Sequence, residues 1–448
     1  MVKKNNAIGS WNMMTMIRYS LIIFFLGGLA INGYYRINFQ EQATITINLT
    51  PTTAITTNAT SNLYLRECDQ KITHMGSTCD LFSGKWVHDN ESRYPLYKEH
   101  ECHYLEDTFA CQTYGRNDTK FLHWKWQPHG CNLPSFDGRE IVEKLRGKRL
   151  LFVGDSLNRN QWNSMICMLQ SSIPGVKKAG KSLNGKLFTF RANDYNISVD
   201  FYWAPMLVES NGDSPTDHNR KDRIFRLTAI EKHARHWGDA DVLIFNSYHW
   251  WRKTTVKLVT DAGSLLDGSN ELYEEIDNVH AYQMGLETWS KWASTHIDFS
   301  KTKLFFMGAT AIHSRATDWR GKNLSTCYGE MDPVMNDGFR ENEMGLELIS
   351  ILESSISKLK AKGVNVQLLN VTRLTQYRKD AHTSVNRRIY RPLTDLQKSK
   401  PELASDCSHW CLPGVPDTWN ELLLASILHE QNSVTLNSAT KPQGCDRH

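Results

Sequence analysis

The chain has 448 residues and carries 52 Lys and Arg against 48 Asp and Glu, a net charge of +4 with histidine neutral. This excess is too small to indicate a nucleic-acid partner, and no basic run supports one. Ten cysteines without a Cys-x-x-Cys pair or zinc-finger spacing give no reason to predict a resident metal. Beside a membrane leader, they indicate disulfides formed in an oxidising lumen.

An apolar stretch at residues 19–35 lies between Arg18 and Arg36 and has the length of a short membrane span. Basic residues precede it, so the positive-inside bias places the tail at residues 1–18 in the cytosol and the bulk of the chain in the lumen. A cleaved signal peptide is the alternative, because Gly28-Leu29-Ala30 offers small residues at a suitable spacing. The short span favours an uncleaved signal anchor in the thin membranes of the early secretory pathway.

Two segments of different composition follow the anchor. Residues 36–77 are rich in Thr, Asn and Ala and indicate a disordered stem. Residues 78–140 carry four of the ten cysteines and many aromatic residues, which predicts a small lobe held by disulfides. Seven Asn-x-Ser/Thr sequons are available for glycosylation in the lumen, although their number is close to what the composition gives by chance.

Short apolar runs alternate with helical stretches over residues 141–448. The predicted strands are 150–153, 242–245, 304–307 and 366–369, and the predicted helices are 157–170, 281–296, 341–361 and 417–429. This alternation predicts an α/β fold with an open, mostly parallel sheet and flanking helices. Residues 187–190 and 197–201 predict a hairpin added to that sheet.

The first predicted strand runs directly into Gly154-Asp155-Ser156. A serine at the carboxyl end of such a strand, where a helix begins, stands where open α/β sheets place their reacting groups. N–H groups at the helix start can hold an oxyanion. Alone, the motif fits an ordinary helix cap better than a nucleophilic serine. A nucleophilic role for Ser156 requires a base elsewhere in the chain.

Two Asp-x-x-His spacings supply candidate bases. Asp277 and His280 lie in an acidic, polar stretch before a helix, which indicates a solvated loop. Asp406 and His409 lie in residues 406–420, a segment dense in Cys, Trp, Pro and Gly. We interpret this segment as a rigid loop held by disulfides, and such a loop can hold a histidine still. Asp406 and His409 are therefore the better pair.

Three blocks of the sequence carry long, specific motifs. They are residues 154–162 (Gly-Asp-Ser-Leu-Asn-Arg-Asn-Gln-Trp), residues 406–420, and the Cys- and Trp-rich residues 79–87 with 124–131. Together they resemble the plant trichome birefringence-like family of polysaccharide O-acetyltransferases, over roughly residues 78–430. The resemblance implies a catalytic domain like the GDSL/SGNH hydrolases at residues 141–448. Cys68 and Cys445 lie outside it and are the cysteines expected to be free or paired with each other.

The resemblance also implies a catalytic triad. Ser156 is then the nucleophile, His409 takes its proton and later returns one, and Asp406 fixes the imidazole and stabilises its charged form. Gly154 and Asn246 lie at the ends of two predicted strands and are candidates for the oxyanion or substrate site. A loop-capping role for Asn246 is equally open.

Contacts to the substrates are assigned more broadly. Arg159 follows Ser156 by one helical turn and is a candidate to bind substrate oxygens or the acyl group, with a surface ion pair as the alternative. Trp250, Trp251 and Trp410 are candidates for stacking on sugar rings, although tryptophan more often builds protein cores.

The resemblance implies acetylation of a plant cell-wall polysaccharide by a single-pass, type II Golgi membrane protein. The acetyl donor, acetyl-CoA or a derived donor, is a co-substrate, and no bound cofactor is predicted. Residues 377–384 and 406–420 look most like the xylan-directed branch, whereas residues 246–253 depart from the expected sequence and leave mannan, xyloglucan and pectin open. An acetylesterase shares the acyl-enzyme and stays an alternative. A non-catalytic polysaccharide-binding protein has no need of all three triad residues.

Overall fold

The computed structural model describes residues 79–173, 182–183, 185–217, 222–252, 255–259, 273–319, 326–334, 339 and 341–438. The predicted anchor at residues 19–35, the predicted stem, Cys68 and Cys445 lie outside these ranges. Over the described ranges, no helix combines the length and the apolar character needed to cross a bilayer.

The described strands and helices alternate along much of the chain. The strands are β1 (Gly84–His88), β2 (Trp124–Pro128), β3 (Arg149–Gly154), β4 (Ser182–Leu183), β5 (Leu187–Ala192), β6 (Ile197–Trp203), β7 (Glu209–Ser210), β8 (Ile224–Arg226), β9 (Val242–Phe245), β10 (Thr255–Val259), β11 (Tyr273–Asp277), β12 (Lys303–Met307), β13 (Val366–Leu369), β14 (His382–Ser384) and β15 (Asp406–Trp410). The α-helices are α1 (Gly138–Lys144), α2 (Ser156–Ser172), α3 (Glu231–Ala234), α4 (Asn278–His296), α5 (Glu343–Ala361), α6 (Thr372–Gln376), α7 (Asp395–Ser399) and α8 (Val415–Ser438).

A seven-stranded sheet in the order β13-β12-β9-β3-β6-β5-β4 forms the centre of the fold. The five strands from β13 to β6 run parallel, and β5 and β4 are added antiparallel at one edge. The expected α/β architecture with a mostly parallel sheet is therefore confirmed. The predicted hairpin is β5 and β6, and β6 lies within the sheet beside β3.

The sequence of the central strand β3 does not alternate between apolar and polar residues, because both faces of the strand are buried. Leu150, Leu151, Phe152 and Val153 are all fully buried, as expected for a parallel strand that is covered on both faces. Among the helices, α2 packs against β3, β6 and α8, and α4 packs against α5. The sheet is thus held between elements from widely separated parts of the chain.

Side-chain caps fix where the principal helices begin. Asp155 accepts the N–H of Leu157 at the start of α2, and Asn342 accepts the N–H of Gly345 at the start of α5. The carboxyl-terminal helix α8 runs from Val415 to Ser438, longer than the predicted residues 417–429. These caps satisfy N–H groups that have no partner within the helix.

The Cys-rich residues after position 78 share a core with the sheet. Cys79 pairs with Cys131 within this region, where β1 and β2 form a two-stranded ribbon. Phe121 and Trp126 are buried in the same cluster as the sheet residues. Two further disulfides, Cys102–Cys167 and Cys111–Cys411, join the region to α2 and to the end of β15. The described residues belong to one compact unit that begins at Thr78.

Candidate active site

Ser156 lies at the point where the connections of the sheet diverge. Its strand, β3, is flanked by β6 on one side and β9 on the other, and Ser156 is the first residue of α2. Such a divergence leaves a crevice at the carboxyl edge of a parallel sheet. Within the first turn of α2, Ser156 and Arg159 are partly exposed, while their immediate neighbours are buried.

Ser156, His409 and Asp406 form a continuous hydrogen-bonded chain. The Oγ of Ser156 lies 2.7 Å from Nε2 of His409. The Nδ1 of His409 lies 2.7 Å from Oδ2 of Asp406, and Oδ1 of Asp406 accepts the backbone N–H groups of Ser408 and His409, each at 3.1 Å. The structure therefore brings together three residues that are up to 253 positions apart. The His409 side chain is 18% exposed, enough for a substrate to reach it.

The charges of the pair set the protonation of His409. Burial opposes a positive charge on the ring, but the charge of Asp406 and its hydrogen bond outweigh burial and raise the pKa of His409 above 6.5. Burial likewise opposes a negative charge on Asp406, and His409 overcomes it and holds the pKa of that carboxyl well below its usual range. Asp406 is therefore a fixed negative charge, and His409 is the group that exchanges protons.

Residues 406–410, which carry His409, form a strand, so the prediction of a loop there was wrong, while its attachment by disulfides is observed. Strand β15 pairs antiparallel with β14, with His382 opposite Trp410 and Ser384 opposite Asp406. Because β14 has only three residues and lacks apolar alternation, no periodic pattern of apolar residues predicts this ladder.

Disulfides hold β15 at both ends, as the sequence analysis expected. Cys407 pairs with Cys327, and Cys411, just after the strand, pairs with Cys111. His409 lies between these two covalent attachments. The backbone around the imidazole is thus fixed by cross-links to two separate parts of the chain.

Asn160 links the helix that carries Ser156 to the strand that carries His409. It lies one turn after Ser156, and its side chain is fully buried. Its Oδ1 accepts the backbone N–H of Trp410 at 2.9 Å, and its Nδ2 donates to the carbonyl of Trp410 at 3.2 Å. This two-bond clamp fixes the residue next to His409 against α2, and through α2 against Ser156.

Two further histidines lie near His409 and are held in the neutral form. Nδ1 of His382 lies 3.0 Å from the carbonyl oxygen of His409, and burial lowers the pKa of His382 to about 3. His382 therefore stays neutral and donates its Nδ1–H to that carbonyl. Burial and the neighbouring charge of His409 lower the pKa of His249 to about 4, so this ring is neutral as well.

The two oxyanion candidates lie at the expected sheet edge. Gly154 has no room for a side chain, because a Cβ there would lie 2.3 Å from the carbonyl oxygen of Asn246. The Nδ2 of Asn246 lies 3.3 Å from the carbonyl of Met307, which engages one of its two N–H groups. Asp155, which follows Gly154, is fully buried, and burial raises the pKa of its carboxyl to about 6. Its hydrogen bond to Leu157 makes it the cap of α2.

A groove of about 930 Å³ opens over the Ser-His pair, and we call it the active-site groove. Its lining includes Glu106, Phe109, Ser156, Arg159, Trp203, Arg223, Arg387, Ile389, Tyr390, Arg391 and His409. Arg159 lines this groove, and its Nε donates to Oε1 of Glu106 at 2.8 Å, so the ion pair considered for it is present and its role in substrate binding stays a prediction. Arg387 approaches the carboxylate of this hydrogen-bonded chain, with Nε 3.7 Å from Oδ2 of Asp406.

The three tryptophans considered for sugar stacking are all buried. Trp250 packs edge-on against Trp203 with Arg223 over its ring, and Trp251 donates its indole N–H to Ser247 at 2.8 Å. Trp410 has no exposed surface. Their rings are covered by protein, so the geometry gives all three a packing role and turns attention to the exposed ring of Tyr390.

The competing Asp-x-x-His pair has a structural role. Asp277 precedes α4 and accepts the backbone N–H of His280 at 2.9 Å, which makes it a helix cap. Across the described ranges, no group of three or more His, Cys, Asp or Glu side chains is placed to hold a metal ion.

Sequence reasoning did not identify Asn160, His382 or the arginines of residues 387–391. Asn160 and His382 lie inside motif blocks, but nothing in a single sequence separates a clamp from its neighbours. Arg387 and Arg391 lie in an irregular stretch between β14 and α7, where no periodicity indicates which side chains face a groove.

The arrangement can carry out acyl transfer. A serine hydroxyl bonded to a histidine, which is bonded in turn to an ionised carboxylate, is activated as a nucleophile. The N–H of Ser156 belongs to the first turn of α2 and has no acceptor within that helix. It is therefore available to a developing oxyanion.

Comparison with known proteins agrees with this geometry. Residues 133–426 match PC-Esterase, the GDSL/SGNH-like acyl-esterase family found in Pmr5 and Cas1p, and residues 77–132 match the PMR5 N-terminal domain. The chain is 46% identical to protein trichome birefringence-like 34 of Arabidopsis thaliana, over 80% of this chain and 87% of that protein.

Relatives from Oryza sativa subsp. japonica are similarly close. Xylan O-acetyltransferase 12 is 46% identical over 79% of this chain and 70% of its own length. Xylan O-acetyltransferase 14 is 44% identical over 79% of this chain and 78% of its own length. The chain therefore belongs to the trichome birefringence-like proteins of the GDSL/SGNH-like acyl-esterase family.

Proposed function

We propose that this protein is a polysaccharide O-acetyltransferase that acetylates the xylan backbone through an acetyl-serine intermediate. The observation that carries the proposal is the hydrogen-bonded chain from Ser156 through His409 to Asp406 at the floor of the active-site groove. The relatives whose names state a reaction are xylan O-acetyltransferases, and this supports both the transfer and the acceptor.

The first half-reaction loads the enzyme. The Oγ of Ser156 attacks the acetyl carbonyl carbon of the donor while Nε2 of His409 takes its proton. The bond between the acetyl group and its leaving group then breaks, and His409 returns the proton to that leaving group. Acetyl-CoA or a donor derived from it supplies the acetyl group. The N–H of Ser156, with the second amide N–H of Asn246, stabilises the oxyanion.

The second half-reaction delivers the acetyl group. A sugar hydroxyl in the groove gives its proton to His409 and attacks the acetyl-serine carbonyl. The bond from the acetyl carbon to Oγ breaks, and His409 protonates Ser156. Asp406 stays ionised throughout and stabilises the imidazolium in both halves. The low pKa of that carboxyl supports this division of labour.

The compartment follows from the leader and the cysteines. We place the protein in the Golgi membrane as a single-pass type II protein, with residues 19–35 as the anchor and the catalytic part in the lumen. The four disulfides of the described residues fit an oxidising compartment. In this compartment the acceptor is a growing cell-wall polysaccharide.

The test incubates the purified full chain with an acetyl donor and a panel of xylo-, manno-, xyloglucan and pectic oligosaccharides. We expect acetylated product, measured by mass spectrometry, from the xylo-oligosaccharide. Ser156→Ala should abolish it. Ser171→Ala, at the other end of α2, is the matched control and should leave it unchanged, because its hydroxyl donates to the carbonyl of Met168.

Two outcomes would contradict the proposal. Faster release of free acetate from acetylated polymer than transfer to any acceptor would identify an esterase. Transfer to a different polysaccharide would retain the reaction and reject xylan as the acceptor. Tethering of the full chain to membranes, lost on removal of residues 1–36, tests the anchor separately.

A further inference from the structure

A second cavity of about 500 Å³ is lined from α5 and α6, and we call it the α5–α6 cavity. Its lining shares no residue with that of the active-site groove. Two aromatic and two aliphatic side chains contribute to it, Phe339, Tyr377, Leu346 and Ile349. A recess of this size, with apolar walls and a few polar groups, suits a small ligand that has an apolar face.

The α5–α6 cavity also contains an asparagine that can be modified. Residues 370–372, Asn-Val-Thr, are one of the seven N-glycosylation sequons, and both Asn370 and Thr372 belong to the lining. The other sequon asparagines within the described ranges are exposed and do not line this cavity; they are Asn90, Asn117 and Asn196. A sugar attached to Asn370 therefore starts inside a preformed recess.

The amide nitrogen of Asn370 makes a long contact at the protein surface. Its Nδ2 lies 3.5 Å from Oε1 of the exposed Glu353, at the outer limit of a hydrogen bond. The backbone beside it is held firmly, because the carbonyl of Leu369 accepts the N–H groups of Gly308 at 2.9 Å and Val371 at 2.8 Å. A sugar on Nδ2 would replace a weak contact and would be rooted on a fixed backbone.

The aromatic walls are in place before any sugar is attached. The ring of Phe339 packs edge-on against His313, with the ring centroids 4.9 Å apart. The hydroxyl of Tyr377 lies 3.4 Å from Nε of Arg373, and its backbone carbonyl accepts the N–H of Val334 at 2.6 Å. Little conformational freedom is therefore lost when a ring packs against these side chains.

We propose that Asn370 carries an N-linked glycan whose first N-acetylglucosamine packs in the α5–α6 cavity, with its apolar face against Phe339, Leu346 and Tyr377. In the transfer, Nδ2 of Asn370 loses a proton and bonds to C1 of the sugar, while the bond from C1 to the diphosphate of a lipid-linked donor breaks. This inference rests on the luminal compartment of the proposed function and is independent of acetyl transfer.

The test measures how fast the glycan is released from the folded protein. The full chain is purified from human cells and treated with a peptide amidase, which removes N-glycans and leaves aspartate at each modified position. Mass spectrometry follows each position separately. We expect a glycan on Asn370 that is released about tenfold more slowly than those on the exposed sequons, the effect of a contact worth about 1.4 kcal/mol.

Two exposed leucines give a matched pair of variants. Leu346 is 55% exposed and lines the cavity, whereas Leu403 is 54% exposed and lies outside the lining. Leu346→Ala should speed release from Asn370 several-fold, because the sugar loses part of its apolar wall. Leu403→Ala should leave that rate unchanged. Thermal unfolding of both variants checks that the fold is retained.

An unmodified Asn370 beside other modified sequons would overturn the inference. Equal release rates from Asn370 in the parent protein and in the Leu346→Ala variant would also overturn it, because the sugar would then lie outside the cavity. Absence of glycans from every sequon would reject the luminal compartment and this inference together. Failure of acetyl transfer appears in neither measurement, so the two proposals fail separately.

Discussion

The buried clamp between Asn160 and Trp410 gives the sharpest test of how the site is assembled. We predict that Asn160→Leu, a replacement of similar size, slows the chemistry of Ser156 without touching a substrate. The change removes the side-chain amide that accepts the backbone N–H of Trp410 at 2.9 Å and donates to the carbonyl of Trp410 at 3.2 Å. The backbone next to His409 then loses its hydrogen bonds to α2, and only the side chain of His409 still reaches that helix, at Ser156.

The magnitude follows from burial. Asn160 has no exposed surface, so water cannot readily replace its bonds. Each orphaned buried group costs about 1–3 kcal/mol, and the pair therefore about 2–6 kcal/mol in unfolding free energy. A shift of His409 by about 1 Å from its 2.7 Å contact with Ser156 costs about 100-fold in rate.

The matched control lies on the same helix. Asn163 is equally buried and makes the same two-bond clamp, accepting from Glu106 N–H at 2.9 Å and donating to the carbonyl of Tyr104 at 2.8 Å. Asn163→Leu should therefore lower the melting temperature to a similar extent. Its clamp holds residues 104–106 at the wall of the active-site groove and makes no bond to the strand of His409, so the contact between Ser156 and His409 is retained and Ser156 should react at close to the wild-type rate.

The assay is the rate at which a fluorophosphonate probe labels Ser156, with Ser156→Ala as the blank and thermal unfolding measured in parallel. Labelling should be about 100-fold slower in the Asn160→Leu variant and close to the wild-type rate in the Asn163→Leu variant. Wild-type labelling in that variant, or an equal loss in both leucine variants, would refute the positioning role of Asn160.

Three other predictions concern protons and cross-links. Activity should rise with pH through the pKa of His409, which lies above 6.5, because the base must be unprotonated. The Asp406→Asn variant removes the charge that raises this pKa, so the midpoint of its kcat/KM profile should move to lower pH and its plateau should be lower. An unshifted midpoint would contradict this. Burial raises the pKa of Glu421 from 4.5 to about 8, so the folded state retains a proton that the unfolded state loses, and the unfolding free energy should fall as pH rises from about 4.5 to about 8. Glu421→Gln should flatten that dependence in denaturation at several pH values, and an unchanged slope would argue against a protonated Glu421. The Cys327–Cys407 bridge spans 80 residues, so the double alanine variant should lose about 4 kcal/mol of stability in chemical denaturation, with a loss under about 1 kcal/mol counting against the bridge.

The parts of the fold that could be predicted are those with a regular period. The apolar run at residues 150–153 was predicted as a strand and is part of β3. A central parallel strand is covered on both faces, so every one of its side chains must be apolar. The long helix of the nucleophile followed from the same reasoning. Ser156 could be placed near the end of β3 because the predicted strand and helix leave only residues 154–156 between them, and in the structure Ser156 is the first residue of the helix.

The surroundings of His409 could not be predicted in the same way. Strand β15 pairs with only three residues of β14, too few for alternation to show. The burial of Trp250 and Trp410 depends on neighbours from other segments, such as Trp203 and His382. Tryptophan is suited both to a core and to a sugar site, and only the assembled structure distinguishes the two.

The Cys111–Cys411 bridge closes a covalent ring across 300 positions, and that ring contains Ser156, Asp406 and His409. A protease cut at a single point inside the ring therefore leaves nucleophile and base in one molecule. A fragment that starts at residue 141 should not fold stably, because it lacks Cys102 and Cys111. These are the disulfide partners of Cys167 and Cys411. The amino-terminal region is thus covalently joined to the segments that carry Ser156 and His409, and a fragment that keeps both of these bridges begins before Cys102.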